Sequence, residues 1–170
     1  MLDPWDEQYR EFAQEHQPRL RRLAYVLSQD WHRADDLVQG ALLQLYRHWD
    51  RAREARDLGA YARTVLVRVF LNERRTFWAR RVVLVDQPPD DAFTVDPDTA
   101  GSLTLRSALA GLPPRQRAVL VLRFWSDLSV EQTAETLNCS AGTVKSQTSK
   151  ALASLRRALP ADHSATGSRS

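Results

Sequence analysis

The sequence predicts an all-α protein made of two small helical domains joined by a flexible acidic linker. Apolar residues recur at helical spacing, and only the ambiguous stretch 82–85 alternates with period two. The stretch 82–104 interrupts these patterns with five Asp and no basic residue. A structureless loop of about 20 residues is uncommon inside a compact domain. Within the 170 residues we therefore place domains at 1–81 and 102–160, a linker at 82–101 and a disordered tail at 161–170.

Three helices are expected in the first domain. One begins just after Pro18, a residue suited to a first helical turn. A second begins at Ala34 and continues its apolar stripe to Trp49. A third extends from about Leu58 to Arg80, and its inward face is formed by Ala62, Val65, Val69 and Phe70.

The third helix also carries a basic surface. One row holds Arg63, Arg74 and Arg81, a parallel row holds Arg68 and Arg75, and Phe77 and Trp78 lie among them. Cations hold phosphates and aromatic rings stack on unpaired bases, so this pattern suits a nucleic-acid strand. A solvated Arg-rich face with Trp78 in the core is the alternative.

The second domain shows a helix-turn-helix pattern. A short helix at 103–109 ends at Gly111, and Pro113-Pro114 opens another with Ala118, Val119, Leu122 and Trp125 on its apolar side. Ser129 and Gln132 form a capping box for a helix that ends near Leu137. The segment 138–140 makes a tight turn, and Ser140 can cap the last helix.

The last helix has a polar face that suits duplex DNA. Opposite the buried Val144 lie Gly142, Ser146, Ser149 and Lys150, with Lys145 at the edge. Short side chains let a helix enter the major groove, and Lys reaches phosphates or guanine edges. Farther along, Arg156 and Arg157 suit the DNA backbone. The alternative is the solvated surface of an ordinary bundle helix.

Charge and cysteine content narrow the class of protein. The net charge of +3 divides into −3 for 1–36, +6 for 37–81, −5 for 82–104, +5 for 105–160 and zero for 161–170. The single Cys139 excludes an internal disulfide and a multi-Cys metal site. An acidic N-terminus without a secretory signal, and no apolar stretch of about 20 residues, predict a cytoplasmic protein without membrane insertion.

Five short motifs, in order, resemble those of RNA polymerase sigma factors of the extracytoplasmic-function group of the sigma-70 family, notably the actinobacterial sigma-E-like subfamily. They are ADDLVQ at 34–39, LGAY at 58–61, LPPRQR at 112–117, LS at 128–129 and GTVKS at 142–146. The resemblance implies a non-enzymatic factor that binds core RNA polymerase and directs it to promoters. Its second domain would read the -35 duplex and its first domain the melted -10 strand.

The resemblance also implies site residues. The clamp of the polymerase β′ subunit would meet Asp35, Asp36, Leu37 and Gln39. The -10 strand would lie near Trp49, Arg53, Arg56, Arg63, Arg68, Arg74 and Arg75. The -35 duplex would lie near Arg123, Gly142, Thr143, Lys145, Ser146, Gln147, Ser149 and Lys150. The β flap of the polymerase is a further implied contact, and an anti-sigma factor is a candidate partner that no residue of this chain identifies.

Three positions depart from the family pattern. Arg68 stands where many members have an Asn that touches a -10 base, which shifts recognition there toward charge or another base edge. Gly40 stands where an acidic residue is common, which bends the helix or weakens the clamp contact. Gln147 belongs to a segment that replaces an Arg-Leu-His-like sequence, and Gln pairs with adenine where Arg favours guanine.

The sequence is compatible with two rival functions. His16, His32 and His48 with Asp35-Asp36 suggest a metal or hydrolytic site, but no HExxH or ExxH spacing places ligands on one helical face. We therefore expect no catalytic residue, metal, cofactor or small-molecule substrate. A helix-turn-helix repressor or activator is the second rival, which would bind duplex DNA alone, commonly as a dimer. Cys139, in the turn, is expected to be a small, partly buried residue, with redox sensing as the alternative.

Overall fold

The computed structural model describes residues 1, 3–84 and 100–159, with the side chains of 74–84 and 100–104 left out. This part of the chain is helical and contains no strand. The helices are α1 Pro4–Ser28, α2 Trp31–Arg47, α3 Trp49–Ala52, α4 Leu58–Leu84, α5 Ala100–Ala110, α6 Pro114–Leu120, α7 Val130–Leu137 and α8 Ala141–Ala158, with a π-helical turn at Val121–Trp125 between α6 and α7. The predicted all-α class is confirmed.

The first domain is a bundle in which α1, α2 and α4 pack against one another. The fully buried side chains at its centre include Leu27, Leu45, Leu66 and Phe70. Asp30 caps α2 by accepting hydrogen bonds from the backbone N–H groups of His32 and Arg33. This cap starts α2 three residues before the predicted Ala34.

The first predicted helix is longer than expected. It begins at Pro4 rather than after Pro18, with Asp3 as its cap and Pro4 in its first turn. Pro18 lies inside this 25-residue helix and is exposed. An interior proline removes one backbone hydrogen bond, but Phe12 before it and Leu20 after it are both buried. Packing on both sides therefore holds the helix continuous through Pro18.

Helix α4 reaches Leu84, which extends it three residues into the predicted linker. The rest of that linker up to residue 99, and the predicted tail at 161–170, lie outside the described residues. The domain boundaries that we assigned remain predictions.

The π-helical turn corrects the predicted face of Trp125. The backbone N–H of Ser126 donates to the carbonyl of Val121, five residues earlier, at 2.9 Å. This wider turn shifts the register of the residues that follow it. Val119 and Leu122 are buried as predicted, whereas Phe124 is 62% and Trp125 59% exposed.

The helix-turn-helix is confirmed in its local details. Ser129 Oγ accepts from the Gln132 N–H at 3.0 Å, and Gln132 Oε1 accepts from the Ser129 N–H at 2.9 Å. Asn138 ends α7 in the left-handed region with φ of 53°. Ser140 then caps α8, which packs on α6 and α7.

The two domains pack against each other. Helix α4 of the first domain contacts α6 and α7 of the second. Phe70 of α4 belongs to the same buried apolar cluster as Val119, Leu122 and Val144. The structure therefore joins the two domains through a continuous core.

Candidate nucleic-acid interface

Helix α8 presents the predicted polar face to solvent. Val144 is fully buried beneath it. The exposed residues of this polar face are Gly142, Thr143, Lys145, Ser146, Ser149 and Lys150. Gln147 is half-buried because it lies about 60° from Val144 around the helix axis, toward the packed side.

The start of α8 is rigidly capped. Ser140 Oγ accepts from the Thr143 N–H at 3.1 Å, and the Ser140 and Thr143 hydroxyl oxygens lie 2.9 Å apart. A Cβ added to Gly142 would meet Ser140 Oγ at 3.8 Å, an ordinary contact. The chain itself therefore has room for a side chain at residue 142.

Arg123 is half-buried in the turn before α7 rather than free at the surface. Its guanidinium donates to the carbonyl of Leu128 and lies 5.9 Å from the Phe124 ring centroid. Arg123 therefore positions the segment that leads into the helix-turn-helix.

The basic residues predicted near the -10 strand do not share one face in the described structure. Arg53, Arg56 and Arg68 are exposed, but Arg63 is half-buried, and its Nε has no hydrogen-bond partner among the described residues. Arg63 and Arg68 point about 140° apart around α4. The side chains of Arg74 and Arg75, and of Phe77, Trp78 and Arg81, lie outside the described part.

Trp49 lies in the core, as the apolar stripe of residues 34–49 predicts, and its family-implied role at the -10 strand stays a prediction. It begins the separate helix α3 and is 2% exposed. Its ring lies 5.4 Å from that of Tyr9 and 5.3 Å from that of Phe12. In this structure Trp49 has no face available to a base.

Three of the four predicted clamp residues lie at the surface of α2. Asp36 and Gln39 are exposed, and Asp35 is half-exposed and forms an ion pair with Arg21 at 2.7 Å. The hydrogen bond from Arg21 holds the pKa of Asp35 below its ordinary value. Leu37 is 2% exposed and packs in the core, as the apolar stripe of this helix predicts, because it points to the opposite side of α2 from this acidic face. Its family-implied contact with the clamp stays a prediction.

Glu73 of α4 is a neighbour that the sequence analysis missed. Partial burial raises its pKa first, the nearby Asp36 carboxylate raises it further, and Arg33 opposes the shift. The acidic face of α2 therefore extends onto α4. No periodic pattern in the sequence connects residues 36 and 73.

His16, His32 and His48, the histidines of the described ranges, lie apart from one another in separate environments. His16 stacks on Phe12 at 4.5 Å, and His32 and His48 are exposed. Within the described ranges no three His, Cys, Asp or Glu side chains are grouped so as to hold a metal ion. The helices of this part include none with the length and apolar character needed to span a membrane.

Comparison with known proteins assigns the family. Sigma-70 region 2 matches residues 12–81, and sigma-70 region 4 matches residues 102–155. The chain is 38% identical over 161 residues to the RNA polymerase sigma-E factor of Streptomyces coelicolor, covering 91% of this chain and 87% of that protein. The chain belongs to the extracytoplasmic-function group of sigma-70 factors. It directs promoter-specific transcription initiation, with core RNA polymerase and promoter DNA as its partners.

Other relatives agree with this assignment. The Streptomyces avermitilis RNA polymerase sigma-E factor is 40% identical over 158 residues, covering 89% of this sigma factor and 85% of that one. The sigma factor RpoE of Bartonella quintana, solved with the anti-sigma factor NepR, has a TM-score of 0.68 and 26% identity, covering 92% and 99% of the two chains. CnrH, solved with the cytosolic domain of CnrY, shares the fold at a TM-score of 0.61 and 19% identity, covering 92% and 90%.

Two further features of this sigma factor escaped the sequence analysis. Phe124 and Trp125 form an exposed aromatic pair because the π-helical turn rotates them outward. Arg117, part of the LPPRQR motif, is 2% exposed. Neither a π turn nor a buried guanidinium has a reliable signature in a single sequence.

Proposed function

We propose that the two domains divide promoter recognition between them. The second domain, 102–160, reads the -35 duplex through α8. The first domain, 1–81, captures the melted -10 strand and docks on the β′ clamp. The observation that supports this division best is the exposed face of α8, which combines short polar side chains with two lysines behind a capped turn.

The -35 contacts follow from the geometry of α8. Gly142, Thr143, Lys145, Ser146, Ser149 and Lys150 would meet the duplex. No neighbouring atom of the chain requires a glycine at residue 142. The absence of a side chain there would instead let the DNA backbone approach the start of α8 closely. Gln147 would reach only bases on its flank, and Arg123 would act by positioning the turn before α7.

The -10 and clamp contacts rest on charge and exposure. Arg53, Arg56 and Arg68 are exposed cations of the first domain, suited to phosphates of a single strand. Arg63, Arg74 and Arg75 remain assigned to this strand by family position. Asp35, Asp36 and Gln39 would meet the clamp, and the β flap would meet the second domain.

The remaining assignments follow from the family. The factor acts as a binding protein with no catalytic step of its own. It works in the cytoplasm, where polymerase and promoter DNA meet. An anti-sigma factor is a suitable regulator because Bartonella quintana RpoE was solved with one.

The direct test is initiation with core polymerase. Core enzyme plus this chain should make abortive transcripts from a cognate promoter, and core enzyme alone should not. A helix-turn-helix repressor would bind duplex DNA by itself and add nothing to the polymerase. If this chain produces no more abortive transcripts than core enzyme alone, the proposal is wrong.

Lys145→Ala tests the α8 assignment. Promoter binding by the holoenzyme should weaken by about 1–3 kcal/mol if Lys145 contacts a base edge. Loss confined to one promoter position indicates a base contact, whereas uniform loss with a shallower salt dependence indicates a phosphate contact. Arg19→Ala removes the same charge from an exposed site on α1 and is the control. An unchanged footprint for Lys145→Ala refutes the assignment.

A further inference from the structure

One face of α1 supports the loop that joins α3 to α4. Trp5, Tyr9, Phe12 and His16 fall within about 60° of one another around the helix axis, so they form one stripe, termed the α1 stripe. Phe12 is 5% exposed, and the other three side chains are half-buried. The contacts of the α1 stripe outside its own helix lie at both ends of the loop, residues 53–57.

The first end of the loop is anchored through α3. Trp49 of α3 is buried, and its ring centroid lies 5.4 Å from that of Tyr9 and 5.3 Å from that of Phe12. The next residue, Asp50, is exposed, and its Oδ1 accepts a hydrogen bond from Trp5 Nε1 at 3.1 Å. The α1 stripe therefore holds α3 by buried ring contacts and by one hydrogen bond at the surface.

The second end of the loop lies beside His16. The imidazole stacks on the Phe12 ring, and its Nδ1 donates to the Phe12 carbonyl at 3.1 Å, which fixes its orientation. A Cβ added to Gly59 would lie 3.4 Å from His16 Nε2 and 3.4 Å from Asp57 Oδ1. The same Asp57 oxygen accepts from the Ala60 N–H at 3.0 Å and caps α4. The start of α4 therefore packs beside the α1 stripe as well.

The two arginines of the loop depend on this backbone support. Arg53 and Arg56 are exposed, and neither side chain forms a hydrogen bond or an ion pair with the described residues. The loop backbone continues the hydrogen bonding of α3, because the Arg53 N–H donates to the Trp49 carbonyl at 2.9 Å and the Ala55 N–H to the Ala52 carbonyl at 3.0 Å. The position of α3 therefore determines where both guanidinium groups are presented.

We propose that the α1 stripe positions this loop for the -10 strand, and that Trp5 and Asp50 are positioning residues for capture of that strand. The proposal rests on the proposed function, in which Arg53 and Arg56 contact phosphates of the melted strand. Trp5 and Asp50 act without touching DNA. They hold α3, and with it both arginines, in the arrangement that the strand binds.

Loss of the hydrogen bond between Trp5 and Asp50 has a calculable effect. It reduces the fraction of the chain in which the loop has that arrangement, and the affinity for the strand falls by the same fraction. One hydrogen bond corresponds to a change of about two- to tenfold in such an equilibrium. The buried ring contacts of Trp49 remain, so the first domain stays folded.

Three variants separate the hydrogen bond from ring contact and charge. Trp5→Phe removes the N–H but keeps a ring beside Tyr46, whose ring centroid lies 5.0 Å from that of Trp5. Asp50→Ala removes the acceptor, whereas Asp50→Asn removes the charge and keeps an Oδ1 acceptor. Glu11→Ala is the control, because it removes the same charge from an exposed site on α1.

The experiment uses holoenzyme assembled from core polymerase and the full chain. Two fluorescent probes copy a cognate promoter: the single-stranded -10 non-template strand and the -35 duplex. Trp5→Phe and Asp50→Ala should each bind the -10 strand about two- to tenfold more weakly, and the double variant should add little to either single one. Asp50→Asn and Glu11→Ala should bind it like the parent. All of these variants should bind the -35 duplex like the parent.

A background without the loop arginines distinguishes positioning from a general structural role. In holoenzyme carrying Arg53→Ala and Arg56→Ala, the further change Trp5→Phe should weaken binding of the -10 strand by less than about twofold, because the groups that Trp5 positions are absent. A general loss of folded structure would instead lower the affinity by the same factor in both backgrounds.

Four results would overturn the positioning role. They are unchanged binding of the -10 strand in Trp5→Phe and Asp50→Ala, an equal loss for the -35 duplex, an equal loss in the background without the arginines, and an Asp50→Asn variant as weak as Asp50→Ala. If the arginine changes weaken binding and Trp5→Phe does not, only the positioning role fails. If the arginine changes leave binding of the -10 strand unaltered, the proposed -10 contacts of the loop are themselves wrong, and the positioning role fails with them.

Discussion

Replacing Thr133 by Val should stabilise the second domain. Thr133 is fully buried in α7, and its Oγ1 has no hydrogen-bond partner among the described residues. A buried hydroxyl without a partner costs about 1–3 kcal/mol. Valine has nearly the same shape and removes that penalty. We therefore expect the free energy of unfolding to rise by about 1–2 kcal/mol, the lower part of the range of that penalty.

Thr136, one turn along α7, is the matched control. It is also buried, but its Oγ1 donates to the Gln132 carbonyl at 2.8 Å. Thr136→Val loses this bond, so its free energy of unfolding should fall by about 0.5–1.5 kcal/mol. The two identical substitutions should thus have opposite signs.

Thermal unfolding followed by circular dichroism, with amide exchange of α7 as a local probe, measures both variants. A change of 1 kcal/mol shifts the Tm of a domain of this size by about 4–8 °C. Promoter binding should stay unchanged in both, because neither side chain is exposed. Destabilisation by Thr133→Val would refute the reasoning, since it would show that the hydroxyl is satisfied in solution.

Three further substitutions test the first domain by urea denaturation. Leu37→Ala should lower the free energy of unfolding by about 2–5 kcal/mol because the side chain is buried in the core. A variant that keeps its stability and loses only polymerase binding would contradict this expectation. Gly40→Ala should raise it by about 0.5–1 kcal/mol, since the added Cβ meets Val69 Cγ1 at an ordinary 3.4 Å. Glu73→Gln should raise the free energy of unfolding at neutral pH. Because the pKa of Glu73 is raised in the folded chain, the folded state keeps its proton longer, and stability falls as pH rises above the ordinary value of 4.5. This fall should disappear in the variant.

Local signals made the helix-turn-helix predictable. The capping box at Ser129, the turn at Asn138 and the cap at Ser140 each involve residues within about four positions of one another. Side chains and backbone that close together encode their own geometry, so the exposed face of α8 followed from helical periodicity alone. The same logic identified α4 from its start at Leu58.

The errors came from packing over longer distances. Pro18 marks a helix start by local rules, but buried residues on both sides keep α1 continuous. The bundle buries Leu37 and Trp49, as their apolar stripe predicts, so the binding roles that family position assigned to them stay predictions. The π-helical turn at Val121–Trp125 changed the helical period itself, so a fixed 3.6-residue repeat misplaced Trp125.

Arg117 shows why surface chemistry could be predicted and the conformation of the chain could not. As a residue of a basic motif it would ordinarily be assigned to solvent or DNA. Three of its carbonyl partners, Leu109, Ala110 and Leu112, are local. The Leu27 carbonyl lies 90 residues earlier, and the Phe70 ring centroid lies 5.9 Å from the guanidinium. No local pattern encodes these last two contacts, because they exist only when the domains meet. The residues proposed to read DNA therefore lie in short segments of the sequence, whereas the contact between Arg117 and Leu27 depends on how the two domains meet.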